Sequence, residues 1–397
     1  MVRLGKVMKL SPLPHWPSRH PSFSLDIITQ TIQPTIITLI HFYSLLRPTS
    51  LSKCLSENTA AWITSHNAYP FEVKPAPVGV PEENQILIRN RAIAINPIDY
   101  KVQTSSVHRG QIIYPTILGE DVAGEVVAVG SGVTKFKIGD RVAGLAAGFL
   151  TNKNEEKTFQ AYTILRTDLS VQIPENYSFQ EASAFPLAVG TTAAGLFNTD
   201  FLNLRLPTFP AQKPTGEVLL VWGGASAVGC AAIQLAVAAG YEVLTTASPK
   251  NLDLVKRLGA SHVFDYKSPT VVADLLKAAE GKRSAGVFDT IGFASWPYTL
   301  EFAEKADGVK FVSCTVPGWP EPPQGVTIKH VFSLSIIKSH VASAVWDDYL
   351  PKAIEAGAFV PAPSPWEFGK GLQSLQGAVD FLGTKGVSAQ KVVVSLE

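Results

Sequence analysis

The sequence is poor in the residues that would staple, anchor or charge it. Cysteine occurs three times in 397 residues, as Cys54, Cys230 and Cys314, far apart and without a C-x-x-C spacing. That leaves neither a disulfide framework nor a structural zinc site to expect, and it fits a reducing compartment. Charge is scarce as well: 17% of the residues are Asp, Glu, Lys or Arg, and the formal net charge is +1. Without a long basic stripe in the main body, nucleic acid is not expected as a partner. The cleanest apolar run in the first fifty residues, 35–46, falls short of the about 20 residues that span a bilayer, so there is no firm membrane signal. Nor is there a Ser/His/Asp triad or a paired-carboxylate motif, which hands any difficult chemistry to a bound cofactor.

What is present is an ordinary globular composition, 46% hydrophobic, on a chain long enough for two to three domains. Residues 1–56 stand apart. They hold Arg3, Lys6, Lys9, Arg19, Arg47 and Lys53 against the single acid Asp26, and prolines break their first third. A poorly ordered extension is expected there; an organelle-targeting segment is the alternative to an otherwise cytoplasmic location.

The chain is organised around residues 217–240. Six mostly β-branched and apolar residues predict a buried strand, Gly223 and Gly224 a turn, and the alanine-rich stretch that follows a helix packed on a sheet. A turn without bulky side chains lets a diphosphate approach backbone N–H groups at a helix N-terminus. The strict G-x-G-x-x-G pattern is missing, since Ser226 stands at its second glycine. Strands at 241–246 and 262–266 around a helix at 251–258 supply the βαβαβ rhythm that the glycines alone do not. Alternation continues with helices at 271–279 and 295–306 and strands at 286–291 and 309–313, after which the prolines of 317–323 are expected to end the sheet. Upstream, 85–95 and 122–129 read as strands of a β-rich domain, 179–185 and 186–197 as helices. Helices at 349–356 and 372–381 and a last strand at 391–396 are expected to return to the β-rich part.

Four stretches carry a resemblance to the medium-chain dehydrogenase/reductase superfamily, from about Glu57 onward. They are Asn96-Pro-Ile-Asp-Tyr-Lys101, Leu118-Gly-Glu-Asp-Val-Ala-Gly124 leading to Gly139-Asp-Arg-Val142, Pro186-Leu-Ala-Val-Gly-Thr191, and the glycine turn. The resemblance implies an α/β fold in which a doubly wound Rossmann parallel sheet is inserted in a GroES-like β-rich domain: 57–185 and 336–397 for the latter, 186–335 for the former. The zinc alcohol dehydrogenases of that superfamily carry a Cys near Ile98 and Gly-His-Glu in place of Gly119-Glu120-Asp121. With thiolate and imidazole both missing, the chain is similar instead to the zinc-independent branch, which includes quinone oxidoreductases and enoyl reductases. Its phrases around the glycine turn, 246–251 and 259–269 resemble fungal trans-acting enoyl reductases of polyketide pathways.

The end of the second strand bears on the cofactor. NAD enzymes place an acid there for the ribose hydroxyls, whereas this chain reads Thr246-Ala-Ser-Pro-Lys-Asn251. Ser248 offers a hydroxyl and Lys250 a cation to a 2′-phosphate, so NADPH is expected; a helix-capping serine beside a solvated lysine is the plain alternative. The resemblance adds Pro249, Asn251, Tyr266, Ser313, Val387 and Ser388 to a cofactor set that already includes Gly224, Ala225, Ser226, Ala227 and Val228. It places Ile98, Asp99, Tyr100 and Lys101 at the nicotinamide end, with Lys101 and Thr191 as catalytic candidates. Glu120 and Asp121 are expected to be hydrogen-bonded remnants of a metal position without a catalytic role, and Tyr114 is a further candidate proton donor. The implied activity is reduction of an activated C=C bond, on a small molecule or a carrier-bound enoyl thioester, with a polyketide synthase as possible partner and the protein a monomer or homodimer. Quinone or carbonyl reduction, or NADPH binding with little turnover, stand as alternatives.

Overall fold

The computed structural model describes residues 57–104 and 112–396; the basic extension and Cys54 lie outside them. The strands run in chain order as β1 (Asn58–Ile63), β2 (Glu72–Ala76), β3 (Gln85–Ala94), β4 (Thr116–Ile117), β5 (Asp121–Val129), β6 (Arg141–Leu145), β7 (Tyr162–Arg166), β8 (Ser170–Gln172), β9 (Val218–Trp222), β10 (Glu242–Ala247), β11 (His262–Asp265), β12 (Ser284–Asp289), β13 (Phe311–Cys314), β14 (Thr327–His330), β15 (Ser364–Lys370) and β16 (Gln390–Ser395).

Strands β9 to β14 form a six-stranded sheet in the order β11-β10-β9-β12-β13-β14, every neighbour parallel. This is the doubly wound Rossmann order, with its switch point between β9 and β12. The central strand β9 is buried at all five positions, Val-Leu-Leu-Val-Trp, because parallel strands covered by helices on both faces bury both sets of side chains. Each such side chain contributes about 1.5–3 kcal/mol on burial. Helix Ala227–Ala238, rich in alanine, lies close on the sheet, with Ala231, Ala232, Ile233, Leu235 and Ala236 in the core.

The second sheet is mostly antiparallel, β15-β16-β3-β5-β6-β8, with β7 also on β3. Its last strand to be made, β16, pairs Val393 with Ala94 and Val394 with Ile93, so the chain returns to the β-rich part. A small sheet, β2-β1-β4, covers one side. One buried cluster runs from Ala123, Leu145 and Phe185 to Val221, Ile233 and Phe288, joining the β-rich part to the nucleotide-type sheet without a break. Helix Pro186–Phe197 lies in that cluster with almost every residue buried, its proline at the first turn, where a missing N–H costs nothing.

Two expectations fail. The prolines of 317–323 do not end the parallel sheet, since β14 follows them as a sixth strand. Only Ile328 of its four residues is buried, so the edge strand carries almost no hydrophobic pattern. The helix expected at 349–356 begins earlier, as a π-helical stretch, Ser343–Tyr349, which passes into Leu350–Glu355. Strand β15, half-buried and polar in places, was not anticipated. Among the described residues no helix is long and apolar enough to cross a membrane.

Candidate functional site

The loop after β9 turns at Gly223, whose φ of +84° is the left-handed conformation that glycine adopts without strain. Its N–H donates to Thr246 Oγ1 at 3.0 Å, and Gly224 N–H to Thr246 O at 2.9 Å, which fixes the turn against the end of β10. Ser226 caps the following helix by accepting from Gly229 N–H at 2.9 Å. A Cβ on Gly229 would lie 2.2 Å from the Gly223 carbonyl oxygen, so helix and turn pack at a distance that only glycine permits. Thr290, at the end of β12, donates to the Trp222 carbonyl at 2.8 Å and lies 2.9 Å from Ser226 Oγ. The result is a backbone cradle at a helix N-terminus, the arrangement that receives a dinucleotide diphosphate.

A cavity of about 1050 Å³ opens at this cradle and extends to the β-rich part. It brings together Ile98, Lys101, Thr191, Ala225, Ser226, Ala227, Val228, Ser248, Asn251, Tyr266, Val387 and Ser388 from the expected set. Asn251 Nδ2 donates to Ser388 Oγ at 3.1 Å, joining the second βα loop to the loop before β16. Ser248 makes no side-chain cap bond, so the plain capping role does not apply and its hydroxyl is left to the cavity. Thr191 donates to the Leu187 carbonyl at 2.7 Å; its oxygen therefore faces the cavity as an acceptor, suited to an amide N–H. Lys101 is exposed at the cavity wall.

Other expected residues fall outside the wall. Gly224, Pro249 and Lys250 do not line it, the first buried and the other two exposed, whereas Lys267 lines it with its ammonium 5.8 Å from the Tyr266 ring centroid. Tyr100 packs on Gly383, where a Cβ would lie 2.2 Å from its ring. Ser313 is buried and donates to Gly195 O at 2.8 Å. Tyr114 is half-buried against the core of the β-rich part. The sequence reasoning missed Thr290, Lys267, Lys391 and the stacked pair Trp222 and Tyr298, whose ring centroids are 5.3 Å apart. Lys267 was legible as the neighbour of Tyr266; Trp222, Thr290 and Lys391 lie at or beside strand ends and Tyr298 in the helix Trp296–Lys305, brought together only by the fold.

A buried polar cluster adjoins the cavity, with Asn96, Glu120 and Lys391 reaching its lining. Lys391, from β16, donates to Asn96 Oδ1 at 2.5 Å and to Asp121 Oδ2 at 2.9 Å. Asp121 also accepts from Asn96 Nδ2 at 2.9 Å and from Leu187 N–H at 2.6 Å. Asp99 accepts from Asn96 N–H at 2.8 Å; burial, and less so Asp121, pushes its carboxyl up to about 7 against the pull of its backbone donors and Lys391. Burial also holds Glu120 well above the usual carboxylate range, reinforced by Asp99 and Asp121. The donor set does not suit zinc: it has no thiolate or imidazole, and its most enclosed carboxylate is already paired to an ammonium. Cys230 and Cys314 are buried in the Rossmann part, their thiols pushed up to about 12 and about 11 by burial, so neither offers a thiolate. Among the described residues no group of three His, Cys, Asp or Glu could hold a metal ion.

A Rossmann sheet set against a β-rich part, with one cavity running from a diphosphate cradle to a polar wall, defines a nicotinamide-dependent oxidoreductase. The comparisons agree. Residues 82–175 match the alcohol dehydrogenase GroES-like domain and 227–356 the zinc-binding dehydrogenase domain. The chain is 51% identical over 339 residues to the zinc-binding alcohol dehydrogenase domain-containing protein cipB of Emericella nidulans, covering 85% of this chain and 98% of that one. It is 38% identical over 345 residues to the trans-enoyl reductase himH of Aspergillus japonicus, covering 85% and 97%. A crystal structure of an alcohol dehydrogenase superfamily protein from Novosphingobium aromaticivorans superposes with a TM-score of 0.68 at 26% identity, covering 86% of this chain and all of that one. The chain belongs to the medium-chain dehydrogenase/reductase superfamily.

Proposed function

We propose that the chain reduces the C=C bond of an α,β-unsaturated carbonyl compound or enoyl thioester, with NADPH as reductant and without a metal ion. The observation that carries this reading is one continuous cavity linking the acid-free end of β10, with Ser248, Tyr266 and Lys267, to a wall that holds Lys101 and Thr191 but, among the described residues, no zinc-type donor set. Bound NADPH supplies the hydride. The protein's part is to seat the diphosphate on the cradle after β9, to hold the carboxamide against Thr191, and to stabilise developing enolate oxygen charge with the Lys101 ammonium. A simple ketone without a Lewis acid is poorly polarised, whereas a conjugated acceptor spreads incoming charge onto its oxygen. Likeness to himH, named a trans-enoyl reductase, supports C=C reduction; the enoyl thioester as substrate form and a polyketide synthase as the partner presenting it are what the sequence resemblance implies.

The test is turnover with C4-deuterated NADPH on an enone, an enoyl thioester and a quinone. Deuterium at the β-carbon of a saturated product is the expected outcome. Deuterium on a carbinol carbon, or turnover of the quinone alone, overturns the proposal, as does stoichiometric zinc whose removal abolishes activity.

A further inference from the structure

We propose that Glu120 is a catalytic residue, the acid that delivers the proton to the α-carbon. The inference rests on the reading of C=C reduction given above. Glu120 directly precedes β5 and is 5% exposed. It lines the large cavity and also a small second one, which Asp99 and Lys157 line as well.

Its surroundings decide which carboxyl keeps a proton. Asp99, Glu120 and Asp121 crowd one buried region. Lys391, the ammonium that enters it from β16, gives its bonds to Asp121 and Asn96. Lys157, which lines the small cavity, donates to Thr116 and Asn154, and burial lowers its own ammonium to about 8. Lys101 stands at the open wall, exposed. Asp121 is satisfied by three donors and Asp99 by backbone N–H groups, whereas no described residue gives the Glu120 carboxyl a hydrogen bond. Like charges in a buried site cannot all ionise, and the carboxyl with the fewest donors is the one left neutral. A neutral carboxylic acid carries an O–H donor, and this one faces the cavity. Thr191 cannot compete, because its hydrogen is given to Leu187 O.

The step balances. Once the C–H bond at the β-carbon has formed, the electron pair of the former C=C bond lies in an enolate. That pair takes the Glu120 proton as a new C–H bond at the α-carbon, the carbonyl C=O is restored, and a Glu120 carboxylate remains. It regains a proton from water before the next turnover. Asp121, the last residue of the same Gly119-Glu120-Asp121 motif, is held out of the cavity lining by its bonds to Lys391 and Leu187 and is a positioning residue.

Two readouts test this. In cofactor-free protein labelled with ¹³C-carboxyl glutamate, which leaves Asp99 silent, the infrared band of a buried protonated carboxyl should be present at neutral pH and lost in Glu120→Gln; a band unchanged by the substitution overturns the assignment. With an enone and NADPH in D₂O, wild type should place deuterium on one face of the α-carbon. Glu120→Gln, checked for unchanged cofactor affinity as a sign of intact folding, should lower kcat by about 10²–10⁴-fold and scatter α-deuterium over both faces, with β-carbon labelling from C4-deuterated NADPH unaltered. Glu120→Asp should restore part of the rate. A Glu120→Gln enzyme at wild-type rate and facial selectivity overturns the donor role alone, because wild type still reduces the enone. A wild type that leaves the enone untouched instead overturns the underlying function.

Discussion

Removing the Lys391 ammonium should be among the most damaging single changes outside the hydrophobic core. Lys391 is 5% exposed and Asp121 fully buried, with 2.9 Å between Nζ and Oδ2. Taking away one partner of such a pair leaves an uncompensated buried charge, at a cost of about 3–5 kcal/mol. Here the loss is compounded, because Asp99 and Glu120 lean on the same cation. Lys391→Met keeps most of the buried stem and isolates the charge. Its penalty should be largest at alkaline pH and shrink as pH falls, since Asp99 and Glu120, without the ammonium that pulls their carboxyls down, fold with protons bound. The double variant Lys391→Met/Asp121→Asn should recover much of the loss, as a removed pair costs less than a broken one. Urea unfolding of the cofactor-free protein, followed by tryptophan fluorescence and by far-ultraviolet circular dichroism with coincident transitions required, gives the numbers. A single variant that costs under about 1 kcal/mol, or a double variant that merely sums the singles, would refute the reasoning.

Three further outcomes are expected. Lys267→Ala should weaken NADPH by about tenfold, the low end for a charge-assisted contact because the ammonium is exposed, while Lys250→Ala changes it less and NADH binding stays level in both; titration of each variant with both reduced cofactors decides, and a larger effect at Lys250 would reverse the assignment. Gly229→Ala should abolish saturable cofactor binding, measured by calorimetry, because a Cβ 2.2 Å from the Gly223 carbonyl forces the helix off the turn; binding within about threefold of wild type contradicts the cradle. Asp99, at about 7 when folded against an ordinary carboxylate near about 3.9, binds more protons in the folded than in the unfolded chain between those values. Its contribution to stability is therefore full at about pH 4 and lost as pH rises through about 7, so the melting temperature should fall over that window and fall less in Asp99→Asn.

The legible parts of the fold were those whose local pattern and tertiary role agree. Strand β9, the glycine turn and helix Ala227–Ala238 are apolar because they are central, and Pro186–Phe197 announces itself with a proline and a small-residue face. Strand β14 was not legible, since an edge strand with one buried residue has no periodicity to read. In the site, residues on contiguous loops such as Ala225, Ser226 and Ser248 could be located from the motif that carries them. Lys391 could not: its partner Asp121 lies 270 positions earlier, and nothing local to β16 marks a lysine as buried. Glu120 and Asp121 are adjacent acids in sequence, and only the alternation of the chain entering β5 sends one toward the cavity and the other toward the ammonium.

The pairing of β16 with β3 also sets an order of events during synthesis. The strands of the parallel sheet, β9 to β14, are contiguous in the chain and can pair as soon as they leave the ribosome. The β-rich part, begun first, must wait for Val393 and Val394 to meet Ile93 and Ala94, and until then Asp121 has no ammonium beside it. A chain stopped a few residues before β16 would therefore carry a finished nucleotide-type sheet and an open edge along Ala92, Ile93 and Ala94, a species for chaperones to hold and proteases to find.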